Sequence, residues 1–236
     1  MKIMILGADG YLGWPTSVDL ASKNHDLLLI DNFTKKKLLD KYNRLPLVKN
    51  KPINKRISSL KNKKVKFKNI DCSNYSKLSK IFKEFMPDAV IHYAELPSAP
   101  YSMFGHEEGW QTLQNNLQST FNLINCIKDF KKDCHVIKLG TMGEYGTPNI
   151  NIEEGWLNVS HKKRSQKFLY PRQASSLYHT SKIMDTDLLW FYVRLYGLRV
   201  TDLMQGPVYG MKAGEKIEDE SLYPEFTYDD LFGTVL

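Results

Sequence analysis

The sequence predicts an α/β fold in which a doubly wound parallel sheet carries helices on both faces. Short apolar runs alternate with helical patterns along the chain, which is typical of strands joined by crossover helices. A glycine turn, Gly7-Ala8-Asp9-Gly10-Tyr11-Leu12-Gly13, directly follows the first apolar run. Asp31 closes the second apolar run, about 20 residues further on. Near-continuous apolar runs of this kind fit strands that are buried on both faces of a sheet.

Each predicted strand is a short apolar run bounded by a turn or a polar segment. In chain order, these runs lie at 2–6, 26–30, 65–70, 89–93, 135–139 and 199–203. The first stops at the glycine turn, the second at Asp31 and the fifth at Gly140-Thr141. Between them, the predicted helices lie at 11–22, 75–85, 107–130 and 175–196. The first helix follows the glycine turn, and Pro87 stops the second.

The stretch at 32–64 interrupts this alternation. It is polar, it contains Pro46 and Pro52, and it is too long for an ordinary connection. We therefore expect a long polar insertion that carries helical pieces and serves a function.

Composition argues against several classes of protein. The 236 residues are 42% hydrophobic and carry a net charge of +7. The basic excess between Lys35 and Lys68 lacks the regular aromatic interleaving of a nucleic-acid groove, so no nucleic-acid partner is expected. The three cysteines form no C-x-x-C pair, which argues against disulfides and a metal site. No apolar run approaches the ~20 residues of a membrane span, and we expect a cytoplasmic protein.

The glycine turn predicts a Rossmann-like dinucleotide site. Its glycines let backbone N–H groups and a helix N-terminus approach a pyrophosphate, because a Cβ would block that approach. Asp31 is placed to accept from both adenosine ribose hydroxyls and would repel a 2′-phosphate, so NAD is the expected cofactor. Lys35, Lys36 and Lys37 could instead accommodate a phosphate. Asp71 is placed either to accept from the adenine amino group or to cap the next helix.

Tyr178 and Lys182 point to proton transfer at a sugar hydroxyl. Residues four apart on a helix share a face, and of the 13 tyrosines only Tyr178 has a Lys four places on. A Lys ammonium beside the hydroxyl is expected to lower a tyrosine pKa that starts near ~10. Tyr178 could then take the proton while an oxidised nicotinamide takes the hydride from the same carbon. Thr141 is expected to hydrogen-bond the same sugar oxygen.

These residues together resemble the extended short-chain dehydrogenase/reductase family, which includes NAD-dependent nucleotide-sugar epimerases and dehydratases. The resemblance spans essentially the whole chain. It implies a cofactor site formed by Gly7, Asp9, Gly10, Tyr11, Leu12, Gly13, Asp31, Asn32, Asp71, Cys72, Tyr93, Asn115, Asn116, Tyr178, Lys182 and Gln205. It implies substrate contacts from Ser98, Tyr101, Ser102, Thr141, Tyr145 and Gln205.

A longer set of motifs is similar to one branch of that family, the UDP-sulfoquinovose synthases. The matching runs are Asp9-Gly10-Tyr11, Ser98-Ala99-Pro100-Tyr101-Ser102-Met103, Lys138-Leu139-Gly140-Thr141-Met142-Gly143-Glu144-Tyr145-Gly146-Thr147-Pro148-Asn149-Ile150, Ile152-Glu153-Glu154-Gly155, Tyr170-Pro171, Gln173-Ala174-Ser175-Ser176, Thr201-Asp202-Leu203 and Gln205-Gly206. This resemblance implies UDP-glucose and sulfite as substrates. NAD oxidises C4, H5 becomes acidic, water leaves from C6, sulfite adds to the alkene and hydride returns to C4.

The same resemblance implies Tyr178 as the C4 base, Lys182 as its neighbour on the nicotinamide ribose, and Thr141 as the group that polarises O4. We also expect a homodimer. Elimination needs a further acid or base, and His179 and Glu144 are both candidates, although His179 could equally be a packed helix-face residue.

Other positions refine the resemblance. Dehydratases of the family carry Asp-Glu directly after the Thr, whereas this chain has Met142-Gly143, which argues against an ordinary 4,6-dehydratase. One of Asn115 and Asn116 is expected to complete the proton relay, with solvent-facing amides as the alternative.

The chain departs from the synthase pattern in two ways. Leu96-Pro97 stands where that pattern has Gln-Arg, an obvious anion contact, and Met204 stands in place of Asn. Family chains also continue well beyond residue 236. We therefore expect an NAD-binding domain at 1–204, including the insertion at 32–64, and the start of an incomplete substrate-binding region at 205–236. The C-terminal substrate domain would be largely absent.

We also expect the 236 residues alone to be incompletely packed and weakly active. Leu231, Phe232, Val235 and Leu236 would lack packing partners, so the 236 residues alone should bind NAD, associate, and convert UDP-glucose poorly. Two alternatives stay open: an epimerase or dehydratase that uses another nucleotide sugar without sulfite, and a non-catalytic NAD-binding module.

Overall fold

The computed structural model describes residues 1–46, 50–152, 155–208, 223–224 and 231. Within them, six strands form one sheet: β1 Lys2–Leu6, β2 Asp26–Asp31, β3 Val65–Asn69, β4 Ala89–His92, β5 His135–Thr141 and β8 Arg199–Gln205. The strand order is β3-β2-β1-β4-β5-β8, and every neighbouring pair is parallel. This is the order of a doubly wound dinucleotide-binding sheet. The prediction of an α/β fold with this sheet is confirmed.

Helices connect the strands. In chain order they are α1 Gly13–Ser22, α2 Thr34–Lys41, α3 Ile53–Ser59, α4 Tyr75–Phe85, α5 Ala99–Ser102, α6 His106–Phe130 and α7 Leu177–Tyr196, with a 3₁₀ turn at Met142–Tyr145. The two helices α2 and α3 are the helical pieces expected in the insertion at 32–64. A Ser or Asn begins three of the helices: Ser98 caps α5, Asn74 caps α4 and Ser176 caps α7, each accepting a backbone N–H.

Alternate residues of β1 face two separate cores, because successive side chains of a strand point to opposite faces. Met4 and Leu6 pack with residues of α4 and α6. Ile3 and Ile5 pack with Trp14 and other residues of α1. The sheet therefore carries helices on both faces, as predicted.

An antiparallel pair, β6 Trp156–His161 with β7 Arg164–Leu169, was not predicted. Several predicted bounds also shift. The first helix begins at Gly13 rather than residue 11, because the turn occupies the two residues before it. The last two sheet strands run on to Thr141 and Gln205.

Much of the predicted region at 205–236 lies outside the described residues, as do Phe232, Val235, Leu236, Glu153 and Glu154. Leu231 is described, and only 3% of it is exposed. It packs with Leu38, Leu39, Leu96 and Tyr101, so the expectation that Leu231 lacks packing partners was wrong. Across the parts of the chain that the structure describes, no helix combines the length and hydropathy needed to cross a membrane.

Candidate active site

A cavity of about 520 Å³ opens at the carboxyl ends of the parallel strands. Parallel sheets of this topology bind their ligands at that edge. The glycine turn after β1, Asp31 at the end of β2 and Asp71 after β3 line one part of it. Thr141 at the end of β5 and Tyr178 near the start of α7 line another. The fold thus brings several of the predicted cofactor residues together with Thr141 and Tyr178 at one cavity.

The glycine turn fits close approach of a ligand to the backbone. Gly7 has a φ of +79°, which favours glycine. A Cβ on Gly13 would lie 2.1 Å from the Gly7 carbonyl oxygen, so a side chain there would break the turn. No side chain caps the N-terminus of α1. Helix N-terminal N–H groups beside such a turn are suited to a pyrophosphate.

Asp31 is held by the backbone around it. Its two carboxylate oxygens accept from the N–H groups of Asp9 and Phe33, each at 2.8 Å. Burial raises the pKa of Asp31, while these hydrogen bonds oppose that effect. Asp71 also lines the cavity. The cap of the helix that follows Asp71 is Asn74, so the helix-cap alternative for Asp71 was wrong.

Asp9 does not line this cavity, although it was predicted to bind the cofactor. Its buried carboxylate pairs with Lys36 at 2.7 Å and with the fully buried guanidinium of Arg56. Arg56 lies over the Trp14 ring, with the guanidinium carbon 4.5 Å from the ring centroid. Two ion pairs therefore connect the insertion at 32–64 to the glycine turn. Sequence reasoning missed Arg56, because nothing local to it marks a partner 47 residues away.

Tyr178 and Lys182 lie on one face of α7, with the Lys182 ammonium 6.0 Å from the Tyr178 ring centroid. Tyr178 lines the cavity, whereas Lys182 is buried and donates to Glu95 Oε2 at 2.5 Å. Burial raises the pKa of Tyr178, and the Glu95 carboxylate raises it further. The predicted lowering of this pKa by Lys182 is thus not found. Glu95 was missed by sequence reasoning.

Thr141 lines the cavity, and its hydroxyl accepts from the Gly143 N–H at 3.1 Å. His179 also lines the cavity. Its Nδ1 lies 3.1 Å from the hydroxyls of both Ser175 and Ser176. Burial, and then the charge of Lys182, lower the pKa of His179, so its imidazole is neutral at neutral pH and able to accept a proton.

Glu144, the other candidate for the elimination step, is placed differently. It is fully buried and absent from the cavity wall. Its carboxylate lies 3.6 Å from Lys138 Nζ and 3.2 Å from Arg172 Nε. Burial raises its pKa, and the two cations oppose that rise. This carboxylate is enclosed by ion pairs in the core, beside the turn after β5.

Of the two predicted relay amides, Asn115 lines the cavity and Asn116 is fully buried. Asn116 accepts from the Leu96 N–H at 2.8 Å and donates to the Ser181 hydroxyl at 2.9 Å. The alternative that both amides face solvent is therefore wrong for Asn116. Its contacts fasten the loop after β4 to α7.

Four predicted substrate contacts lie off the cavity wall. Ser98 caps α5, and the buried Tyr101 donates to Gln111 at 2.5 Å. The Ser102 hydroxyl accepts from the Tyr178 N–H at 3.0 Å. Tyr145 packs edge-on against the Tyr170 ring. Ser102 thereby orients the start of α7, which carries Tyr178.

The remaining predicted cofactor and substrate residues share one location, the cavity wall. They are Gly7, Gly10, Tyr11, Leu12, Gly13, Asn32, Cys72, Tyr93 and Gln205.

Two curated proteins match this chain over its whole length. It is 41% identical over 240 residues to the chloroplastic UDP-sulfoquinovose synthase of Spinacia oleracea, a match that covers 100% of this chain and 49% of the relative. It is 38% identical over 240 residues to the UDP-sulfoquinovose synthase of Sulfolobus acidocaldarius, covering 100% of this chain and 61% of that protein. The chain thus spans about half to three-fifths of the length of these relatives.

Solved structures support the fold. The UDP-glucose 4-epimerase of Thermus thermophilus, solved in complex with NAD, superposes with a TM-score of 0.64 at 23% identity, covering 94% of this chain and 60% of that one. Residues 3–229 match the model of the NAD dependent epimerase/dehydratase family. The family description confirms NAD as the predicted cofactor. With this match, the full-length relatives and the site at the carboxyl edge of the sheet, the chain belongs to the NAD dependent epimerase/dehydratase family.

Proposed function

We propose that this chain carries the NAD site and the sugar-oxidising residues of an enzyme that converts UDP-glucose and sulfite to UDP-sulfoquinovose. One observation carries the proposal: Thr141, Tyr178 and His179 line the same cavity as the glycine turn and Asp31. The similarity to two UDP-sulfoquinovose synthases, which extends over the whole of this chain, supports the choice of substrates.

The residues present fit NAD. A Cβ at Gly7 or Gly13 would collide with neighbouring backbone, so this tight turn needs glycine, and the uncapped N-terminus of α1 suits the pyrophosphate. Asp31 would hold the adenosine ribose, and Asp71 the adenine amino group. Of the lysines that could accommodate a 2′-phosphate, Lys36 is paired with Asp9 and Lys35 lines the cavity, so the choice of NAD rests on Asp31.

When bound, NAD supplies reversible hydride transfer at C4 of the sugar. Tyr178 takes the O4 proton during oxidation and returns it during reduction, while the Thr141 hydroxyl holds O4. The resulting C4 ketone makes H5 acidic. Neutral His179 takes the C5 proton and delivers a proton to the departing O6, which leaves as water. Sulfite, entering as hydrogensulfite, then forms a bond from its sulfur to C6 of the alkene, and its proton passes through His179 to C5.

A second candidate is an epimerase or dehydratase that uses a nucleotide sugar without sulfite. The observation that favours it is Pro97, an uncharged residue of the cavity wall at the place of the synthase Arg. A third candidate is a non-catalytic NAD-binding module. We further propose a cytoplasmic homodimer.

Product mass distinguishes these candidates. The protein is incubated with UDP-glucose in the presence and absence of sulfite, and the nucleotide sugars are analysed by mass spectrometry, with Tyr178→Phe as the control. A product that carries a sulfonate, formed slowly by these 236 residues, only with sulfite and not by the variant, is expected. An isomerised or dehydrated sugar in both reactions would support the second candidate. Retained NAD with no sugar product in either reaction would support the third.

A further inference from the structure

A buried ion pair lies behind the proposed proton acceptor. Lys182 Nζ donates to Glu95 Oε2 at 2.5 Å, and the two side chains are 3% and 4% exposed. Glu95 lies in the loop after β4 and contributes to the cavity wall, whereas Lys182 does not. The cation expected beside the Tyr178 hydroxyl is thus held by a carboxylate from another element.

Other charged groups around this pair have separate roles. Lys138 of β5 donates to the Lys182 carbonyl at 3.0 Å and to Thr186 Oγ1 at 2.9 Å, and it faces the Glu144 carboxylate beyond β5. Burial lowers the pKa of His92 on β4 to about 4, so its ring is neutral. Burial raises the pKa of Asp185 on α7 to about 8, so this carboxyl is protonated at neutral pH. His179, also on α7, is neutral as described above.

We propose that Glu95 is a positioning residue that holds the Lys182 ammonium in a buried ion pair and so controls the proton of Tyr178. The inference rests on the proposed role of Tyr178 as the C4 base. An ammonium near a phenol favours the phenolate, and a carboxylate near it favours the neutral phenol. Lys182 and Glu95 therefore act on Tyr178 with opposite sign, and in the ion pair Glu95 opposes the effect of Lys182. Together with burial this favours the protonated hydroxyl, so the phenolate that the proposed C4 base needs forms when Lys182 acts on Tyr178 unopposed.

Four proteins test this: the native chain, Glu95→Gln, Lys182→Met and the double variant. Tyrosinate formation is followed by ultraviolet difference absorbance over the pH range in which circular dichroism shows the fold intact. The chain has 13 tyrosines, so the Tyr178 step is isolated by subtracting the same titration of a matched Tyr178→Phe protein. This reading needs neither sulfite nor turnover, so it is independent of whether the proposed sugar reaction occurs.

Glu95→Gln should move the Tyr178 ionisation down by about one pH unit or more, because Lys182 then acts unopposed. Lys182→Met should move it up, and the double variant should return it towards the native position. Glu84→Gln removes an exposed carboxylate on α4 and should leave the step in place.

Glu95→Gln leaves a buried ammonium unpaired and is the variant most at risk of unfolding. The comparison of Lys182→Met with the double variant tests the effect of Glu95 on Tyr178 and does not need the Glu95→Gln protein. A double variant that ionises at lower pH than Lys182→Met supports the proposal. Equal ionisation of Tyr178 in those two proteins, or no shift in a folded Glu95→Gln protein, would overturn it.

Discussion

The imidazole of His179 packs directly over the α-carbon of Gly143. A Cβ added at Gly143 would lie 2.3 Å from His179 Nε2 and 2.5 Å from its Cδ2. Gly143 stands where ordinary dehydratases of the family carry Glu, according to the resemblance described above. His179 thus occupies space that a side chain at 143 would need, and only one of the two acid/base groups can be present.

Gly143→Ala should displace His179 and selectively impair elimination. C4 oxidation uses Tyr178 and Thr141 and should persist, whereas loss of a positioned acid/base costs about 10²–10⁴-fold. Reduction of bound NAD on addition of UDP-glucose reports the first step, and exchange of the C5 hydrogen with deuterated solvent reports the second. Gly105→Ala is the matched control, because a Cβ there meets only the end of the Glu108 side chain, at 3.1 Å. Equal loss of both steps in Gly143→Ala would contradict the assignment of His179.

Tyr178→Phe should abolish hydride transfer and leave NAD binding intact, because the ring's packing stays and only the proton acceptor is lost. We expect a loss of about 10²–10⁴-fold in the rate at which UDP-glucose reduces bound NAD. Tyr196→Phe removes a hydroxyl from the far end of the same helix and serves as the control. A Tyr178→Phe protein that still reduces its NAD at the native rate would exclude Tyr178 as the base.

Local pattern was enough to predict the sheet and to bring the glycine turn and Asp31 to one cavity at its edge. Each strand is a compact apolar run, and the glycine turn and Asp31 are close in sequence. The hairpin of β6 and β7 was missed because most of its side chains are exposed. Its turn also places Lys162 and Lys163 at positive φ, where Asn-Gly would have signalled a hairpin.

Long-range electrostatics could not be predicted. Lys182 and Glu95 are 87 residues apart, and no spacing rule pairs them. Burial, and then the Glu95 carboxylate, raise the pKa of Tyr178, which is the opposite of the shift expected from Lys182. Glu144 was a reasonable acid/base candidate from its position after Thr141, but Lys138 and Arg172 enclose it in the core.

Asp31→Asn should weaken NAD binding. A charge-assisted hydrogen bond to a ribose hydroxyl contributes about 1.5–3 kcal/mol, so a roughly tenfold to hundredfold rise in Kd is expected for each bond lost. Binding is measured by calorimetric titration with NAD and NADP. Asp26→Asn, at the other end of β2, is the control. Native protein that binds NADP as tightly as NAD would show that Asp31 does not set cofactor preference.

His92 is buried in β4, and its Nε2 lies 3.0 Å from Thr120 Oγ1. Burial lowers its pKa from 6.5 to about 4 in the folded protein. Between these values the unfolded chain binds a proton that the folded protein does not, so unfolding becomes more favourable as pH falls. This contribution to stability is fully present above pH 6.5 and is lost as the pH falls towards 4. Its full size is about 3 kcal/mol, at 1.36 kcal/mol for each pKa unit.

His92→Gln removes the titrating group while keeping a polar side chain near Thr120. The free energy of unfolding, measured by urea titration at several pH values from neutral to acid, should fall less steeply with pH in His92→Gln than in the native protein. The difference between the two slopes isolates His92, because the other titrating groups are common to both proteins. His106→Gln, which changes an exposed histidine at the start of α6, is measured alongside as the matched variant. Parallel curves for the native protein and His92→Gln would mean that the His92 pKa does not differ between the folded and unfolded states.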